Sequence, residues 1–188
     1  MHREAACVAY VIVALVMTIV LTNTAENTGG SPYDDVPLRD VVHARFQNWV
    51  GWKGICDWML LPICAFGLYA AVHDHKVGKY VKTLSALFIL RALCIAVTVL
   101  PSSHCKQTRT PYWGRCRDQI ISGHTLLLFV AAHAAASLHP SLAPAVFLYA
   151  ILGGFVMTAT QRHYTVDVIL AAVLSVLFCD SGTATPVS

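Results

Sequence analysis

Ser122-Gly123-His124-Thr125 and His163-Tyr164-Thr165-Val166-Asp167 set two imidazoles and a carboxylate at the mouths of stretches apolar enough to enter a membrane. Ionisable groups at membrane depth are costly and usually face a cavity, so they mark working sites. The chemistry these types could do is phosphoryl transfer. One imidazole would attack phosphorus and form a phosphohistidine, and the other would protonate the departing oxygen. His163 and Asp167 are spaced i, i+4, which on a helix places them on one face. There the carboxylate can fix the imidazole tautomer. Asp118 and Ser122 are likewise i, i+4 if their helix begins that early. Gly123 allows the backbone close to a ligand, and N–H groups at a helix start favour an anion. Arg91, Asp118, Ser122, Gly123, Tyr164 and Arg162 are the candidates for holding substrate. No metal or other cofactor is required, because arginine and N–H donors can stabilise the equatorial oxygens.

These side chains sit on a chain built for lipid. It has 188 residues, 56% hydrophobic and only 12% charged, against about 25% charged in soluble domains. Its mean hydropathy is +0.60. A net charge of +3 without a long basic block excludes nucleic acid as a partner. The continuous apolar runs predict an all-α polytopic membrane protein, one domain over 1–188, rather than a β-barrel. A crossing needs about 20 apolar residues, and six helices are expected, at about 5–22, 55–72, 83–100, 120–138, 144–160 and 164–179. The first run is long for a signal peptide and Asn23-Thr24-Ala25 is a poor cleavage site, so it is read as a helix; either reading leaves the later loops on the same side. His73 to Lys82 reads as a small basic loop, and Lys76, Lys79 and Lys82 as a surface anchor. Trp49, Trp52 and Trp58 read as interfacial aromatics. His139-Pro140-Ser141 makes a tight turn. The tail from Asp180 is expected to be disordered.

Counting helices brings the chemistry together. With six crossings, loops 23–54, 101–119 and 161–163 share the face opposite the N-terminus. His124 then lies one or two turns below that face, and the sixth helix starts there with His163 and Asp167. Arg91 falls mid-span, roughly 15 Å from the same face. It either points into a polar cavity and contacts phosphate or takes a structural partner such as Asp57. His133 reads as a hydrogen-bonded packing residue. Cys7, Cys56, Cys64, Cys94 and Cys179 read as small hydrophobes. Cys105 and Cys116 share a polar loop and can pair if it faces an oxidising compartment. Lys106, Arg109, Arg115 and Arg117 in that loop suit a phosphate-bearing partner.

At these residues the chain resembles the sphingomyelin synthase family, a branch of the lipid phosphatase superfamily. Cys116-Arg117-Asp118-Gln119-Ile120-Ile121-Ser122-Gly123-His124-Thr125 is similar to that family's Cys-Gly-Asp-x-x-x-Ser-Gly-His-Thr. His163-Tyr164-Thr165-Val166-Asp167-Val168 is similar to its His-Tyr-Thr-x-Asp-Val. Val36-Pro37-Leu38-Arg39-Asp40 and Arg91 with Leu100-Pro101 are weaker likenesses. The resemblance implies six membrane helices and a lumenal or extracellular triad of His124, His163 and Asp167, with His163 as nucleophile, Asp167 as its orienter and His124 as acid/base; the two histidines could exchange roles. It implies transfer of a phospho-head group from a glycerophospholipid donor to the primary hydroxyl of ceramide, releasing diacylglycerol, in the Golgi or plasma membrane. The lipids and the bilayer are then the partners, and a homo-oligomer is compatible with the chain. An additional N-terminal domain is not expected.

Departures bear on the details. Arg117 replaces a glycine and Ala172 a tyrosine. Gln161-Arg162 stands where sphingomyelin-making members have His-Asp, and a basic residue there looks more like inositol phosphorylceramide synthases. A lipid phosphate phosphatase, with water replacing ceramide, is the alternative, but Ile121 replaces that branch's proline, and its Arg-Pro and Ser-Arg elements are missing. A non-enzymatic scramblase or interaction protein would not need all three triad residues. Arg and Lys number eight on the triad face (Arg39, Arg45, Lys53, Lys106, Arg109, Arg115, Arg117, Arg162) and four on the other (Arg3, Lys76, Lys79, Lys82). The positive-inside rule would put the larger set in the cytosol, against the resemblance; charges held for phosphate weaken that vote.

Overall fold

The computed structural model describes residues 2–28, 37–98, 100–101 and 119–181. Among these residues every regular element is helical: α1 His2–Thr28, α2 Val41–Arg45, α3 Ile55–His73, α4 Val77–Val97, α5 Gly123–Leu138, α6 Ala143–Ala159 and α7 Thr165–Ser181. Single 3-10 stretches at Gln47–Trp52 and Pro140–Leu142 join them. Asp118, Cys105, Cys116 and the basic residues Lys106, Arg109, Arg115 and Arg117 lie outside the described residues.

Among the described residues, four stretches are long and apolar enough to cross a membrane: Cys7–Thr24, Ile55–His73, Val77–Val97 and Pro140–Ala159. This is the character of an integral membrane protein. Leu61, Leu68, Leu148, Ile151, Ile169 and Val173 are all at least half exposed, which suits lipid and not water. The other two expected crossings are shorter. α5 has 16 residues and α7 has 17, so they run about 24 and 26 Å at 1.5 Å per residue.

Boundaries differ from expectation where polar residues join helices. α4 starts at Val77 and not at 83, because lysine stems can lie along apolar surface with their charges at its edge while Tyr80 and Thr83 are buried. The loop expected over 73–82 thus shrinks to a turn. α4 ends at Val97, with Thr98 extended, short of the expected end at 100. Asp180 and Ser181 are not tail but the end of α7.

α5 is the hub. It packs against α3, α4, α6 and α7, while α1 lies along α4. The small residues Ala131, Ala132, Ala134 and Ala135 let neighbours come close. One close approach is at Gly67 of α3, where a Cβ would lie 2.8 Å from the Ala131 backbone. A side chain there must push α3 and α5 apart. Gly67→Val is therefore expected to destabilise the protein by about 1–3 kcal/mol, read as a lower melting temperature in detergent; an unchanged melt contradicts the close crossing.

The end of the bundle away from the two motifs has its own polar cluster. His133 Nε2 lies 3.1 Å from Asp180 Oδ1, and its Nδ1 3.4 Å from the Tyr80 hydroxyl. His133 is thus a hydrogen-bonded packing residue, as its sequence context suggested. Asp74 Oδ2 accepts from Lys76 Nζ at 2.7 Å and from Ser137 Oγ at 3.1 Å. The Lys76 ammonium holds the Asp74 carboxyl below its ordinary range, and the carboxylate raises Lys76 in return.

Candidate active site

α5 opens on a strained turn. Ile121 has φ 55°, a left-handed conformation that a β-branched residue adopts at a cost of about 1–2 kcal/mol. Arg91, 5% exposed, donates from Nε to the Ile121 carbonyl at 2.8 Å and braces that turn. Ser122 caps the helix, accepting from Thr125 N at 3.3 Å and Thr125 Oγ1 at 3.0 Å. Its own hydroxyl faces Met157 Sδ at 3.5 Å, and the residue is fully buried. Helix begins only at Gly123, so Ser122 stands just outside it, and position 118 lies outside the described residues. Gly123 packs beside the Arg91 guanidinium, 3.6 Å from Nε to a built Cβ.

The second motif is set by the end of α6. Gln161 has φ 58° and stands where glycine usually terminates a helix, with Arg162 N donating back to Met157 O at 3.0 Å. α7 then begins at Thr165, so His163 precedes the helix. This corrects the shared helical face expected for His163 and Asp167: the two meet through the cap. Asp167, in the first turn, reaches back and accepts from Tyr164 N at 3.1 Å, as the third residue of a capping box does. The same oxygen lies 3.7 Å from His163 Nδ1, an ion-pair distance but too long for a hydrogen bond. His163 Nδ1 is buried without a hydrogen-bond partner.

The two motifs nevertheless touch. Ser122 N donates to the Asp167 carbonyl at 3.3 Å. Arg162 Nη1 lies 3.2 Å from His124 Nε2. Asp57, in the first turn of α3, joins them: its Oδ1 is 2.6 Å from Arg162 Nη1 and 2.8 Å from His124 Nε2. Asp57 therefore serves Arg162 and His124 and not Arg91, the partner its sequence position suggested. Its ionisable side chain at the start of an apolar run was the signal.

Two further residues were given no role from the sequence: Asp40, quoted there only within a weak likeness, and His43. Asp40 Oδ1 accepts from Val42 N at 2.9 Å and caps α2. The same carboxylate accepts from Thr165 N at 2.7 Å and Thr165 Oγ1 at 2.9 Å, capping α7 as well. Burial opposes its ionisation, but the hydrogen bonds from Thr165 and His43 prevail and hold its pKa below the ordinary carboxylate value. His43 Nε2 lies 3.0 Å from the His163 carbonyl, and its ring stacks on Tyr164 at 5.3 Å. Tyr164, almost fully buried, donates to Pro101 O at 3.1 Å and accepts from Leu38 N at 3.0 Å. A cavity of about 780 Å³ opens alongside, lined by Pro37, Leu38, Asp40, His43, Val50 and Gln161 among others.

Residues 115–183, which contain both motifs, match the PAP2 superfamily C-terminal family. The chain is similar to this family over residues 115–183 alone. It is also similar to a Caenorhabditis elegans protein named as a phosphatidylcholine:ceramide cholinephosphotransferase, at 27% identity over 76% of this chain and 53% of the relative. The chain thus spans about half the length of the curated relative it matches. No solved structure matches it.

Proposed function

We propose that the chain transfers a phospho-head group from a glycerophospholipid to ceramide, in a fold of six membrane crossings. In this reading Asp167 orients His163 through Nδ1 and leaves Nε2 to attack phosphorus. The P–O bond to diacylglycerol breaks, and His124 gives its proton to the leaving oxygen. The ceramide hydroxyl then attacks the phosphohistidine, His124 takes its proton, and the P–N bond breaks. Arg162 and Arg91 stabilise charge on phosphorus oxygens, and the cavity beside His43 receives the lipid. Asp118, Ser122, Gly123 and Tyr164 complete the substrate-binding set. The observation that carries this reading is the meeting of His124 with the Arg162–His163 turn, 3.2 Å from Nε2 to Nη1.

Arg162 favours a second head group. A guanidinium before the nucleophile suits an anionic or polyhydroxylated head group such as inositol phosphate better than choline, whose own cation it would repel. The active site is proposed to face the lumen or exterior, in the Golgi or plasma membrane. Mass spectrometry of lipids after expression in cells lacking complex sphingolipids tests all of this. A new sphingophospholipid supports transfer and its head group is read from the mass. Free phosphate without a ceramide product identifies a phosphatase. Unchanged lipids identify a non-enzymatic protein.

A further inference from the structure

We propose that Asp57 is an internal stand-in for the donor's phosphodiester: its carboxylate occupies an anion seat between Arg162 and His124 until a phosphate group displaces it. This rests on the transferase reading for the identity of the natural ligand. The seat itself is a matter of geometry. Two donors from different parts of the chain, Arg162 Nη1 and His124 Nε2, converge on one oxygen at 2.6 and 2.8 Å. A non-bridging phosphate oxygen makes the same demand on a guanidinium and an imidazole N–H. The N-termini of α3 and α5 meet here through Asp57 and His124, so their partial positive charges add to the seat.

The occupant can leave. The Asp57 side chain is 56% exposed, while those of Arg162 and His124 are 28% exposed. An exposed ion pair is worth little net free energy, so exchange for a ligand oxygen is nearly balanced. The chemistry also requires exchange. While His124 Nε2–H is given to Asp57 it cannot be given to a departing oxygen. An Asp57 fixed permanently on His124 would instead be a positioning residue, and the two roles separate by experiment.

The test is binding of inorganic phosphate to the solubilised full-length chain, followed by calorimetry. If the carboxylate holds the seat about nine-tenths of the time, apparent affinity is reduced about tenfold. Asp57→Asn should then bind phosphate about tenfold more tightly than wild type, and Arg162→Gln more weakly. Equal or weaker binding by Asp57→Asn overturns the proposal. A wild-type measurement guards against a misfolded variant: carbodiimide labelling of Asp57 should rise when phosphate is added, while labelling of Asp180 stays constant. A labelling of Asp57 that phosphate leaves unchanged also overturns it. Phosphate binding and lipid transfer are read separately. Tighter binding without a ceramide product would retire the transferase and keep the seat, and the reverse result would do the opposite.

Discussion

His163→Ala is expected to lower head-group transfer by at least about a thousandfold, the scale on which removal of a nucleophile acts. The loss should fall on turnover and not on folding. The hydrogen bond that residue 163 makes to His43 uses its backbone carbonyl, which alanine keeps. Its ring nitrogen Nδ1 has no hydrogen bond to lose. Asp167→Asn should cost less, because an amide oxygen can still accept from Tyr164 N while the charge beside His163 disappears. Labelled donor and ceramide, with product separated by chromatography, measure both. If His163→Ala keeps full activity, the nucleophile is elsewhere.

Asp40→Ala is expected to be the most damaging change outside the histidine pair. One carboxylate caps α2 and α7 and accepts four hydrogen bonds, from Val42 N, His43 N, Thr165 N and Thr165 Oγ1. A single cap is worth about 1 kcal/mol, and bonds to a charged acceptor more, so a loss of about 2–4 kcal/mol is expected. The start of α7 should loosen with it, and the His163–Asp167 turn is the segment just there. Transfer should therefore fall along with the melting temperature. The pH dependence has a definite sign. The folded-state pKa of Asp40 lies below its ordinary value. Its stabilisation is complete at neutral pH and is lost as pH falls below about 4 and through that depressed value. Thermal melts below pH 4 should fall more steeply for wild type than for Asp40→Asn; parallel curves would rule this cap out as the acid-sensitive element.

Much of the architecture was legible in the residues. The long apolar runs set helices α3, α5, α6 and α7 within three residues, because lipid-facing helices must be apolar nearly all round, whereas α1 runs on past the expected 22 to Thr28. The meeting of the two motifs followed from counting crossings. What could not be read is long-range or conformational. Asp40 sits in a polar stretch with no mark that its partner is Thr165, 125 residues away. Asp57 was visible as an ionisable residue in an apolar run, yet two arginines were available to it. The left-handed backbones of Ile121 and Gln161 carry no sequence signature, since glycine or asparagine is the usual occupant. They are why both motifs begin outside their helices, and why spacing alone misjudged how His163 meets Asp167.

The brevity of α5 and α7 has a consequence for the surrounding lipid. Apolar bands of about 24 and 26 Å are several ångströms thinner than a typical hydrocarbon core of about 30 Å. In the proposed fold of six crossings, the leaflets would dimple where they meet these two helices. α5 and α7 are also the helices whose first turns hold His124 and Asp167. In that proposed fold the mismatch would draw neighbouring headgroups toward the imidazoles, shortening the distance a phosphate must travel out of its leaflet.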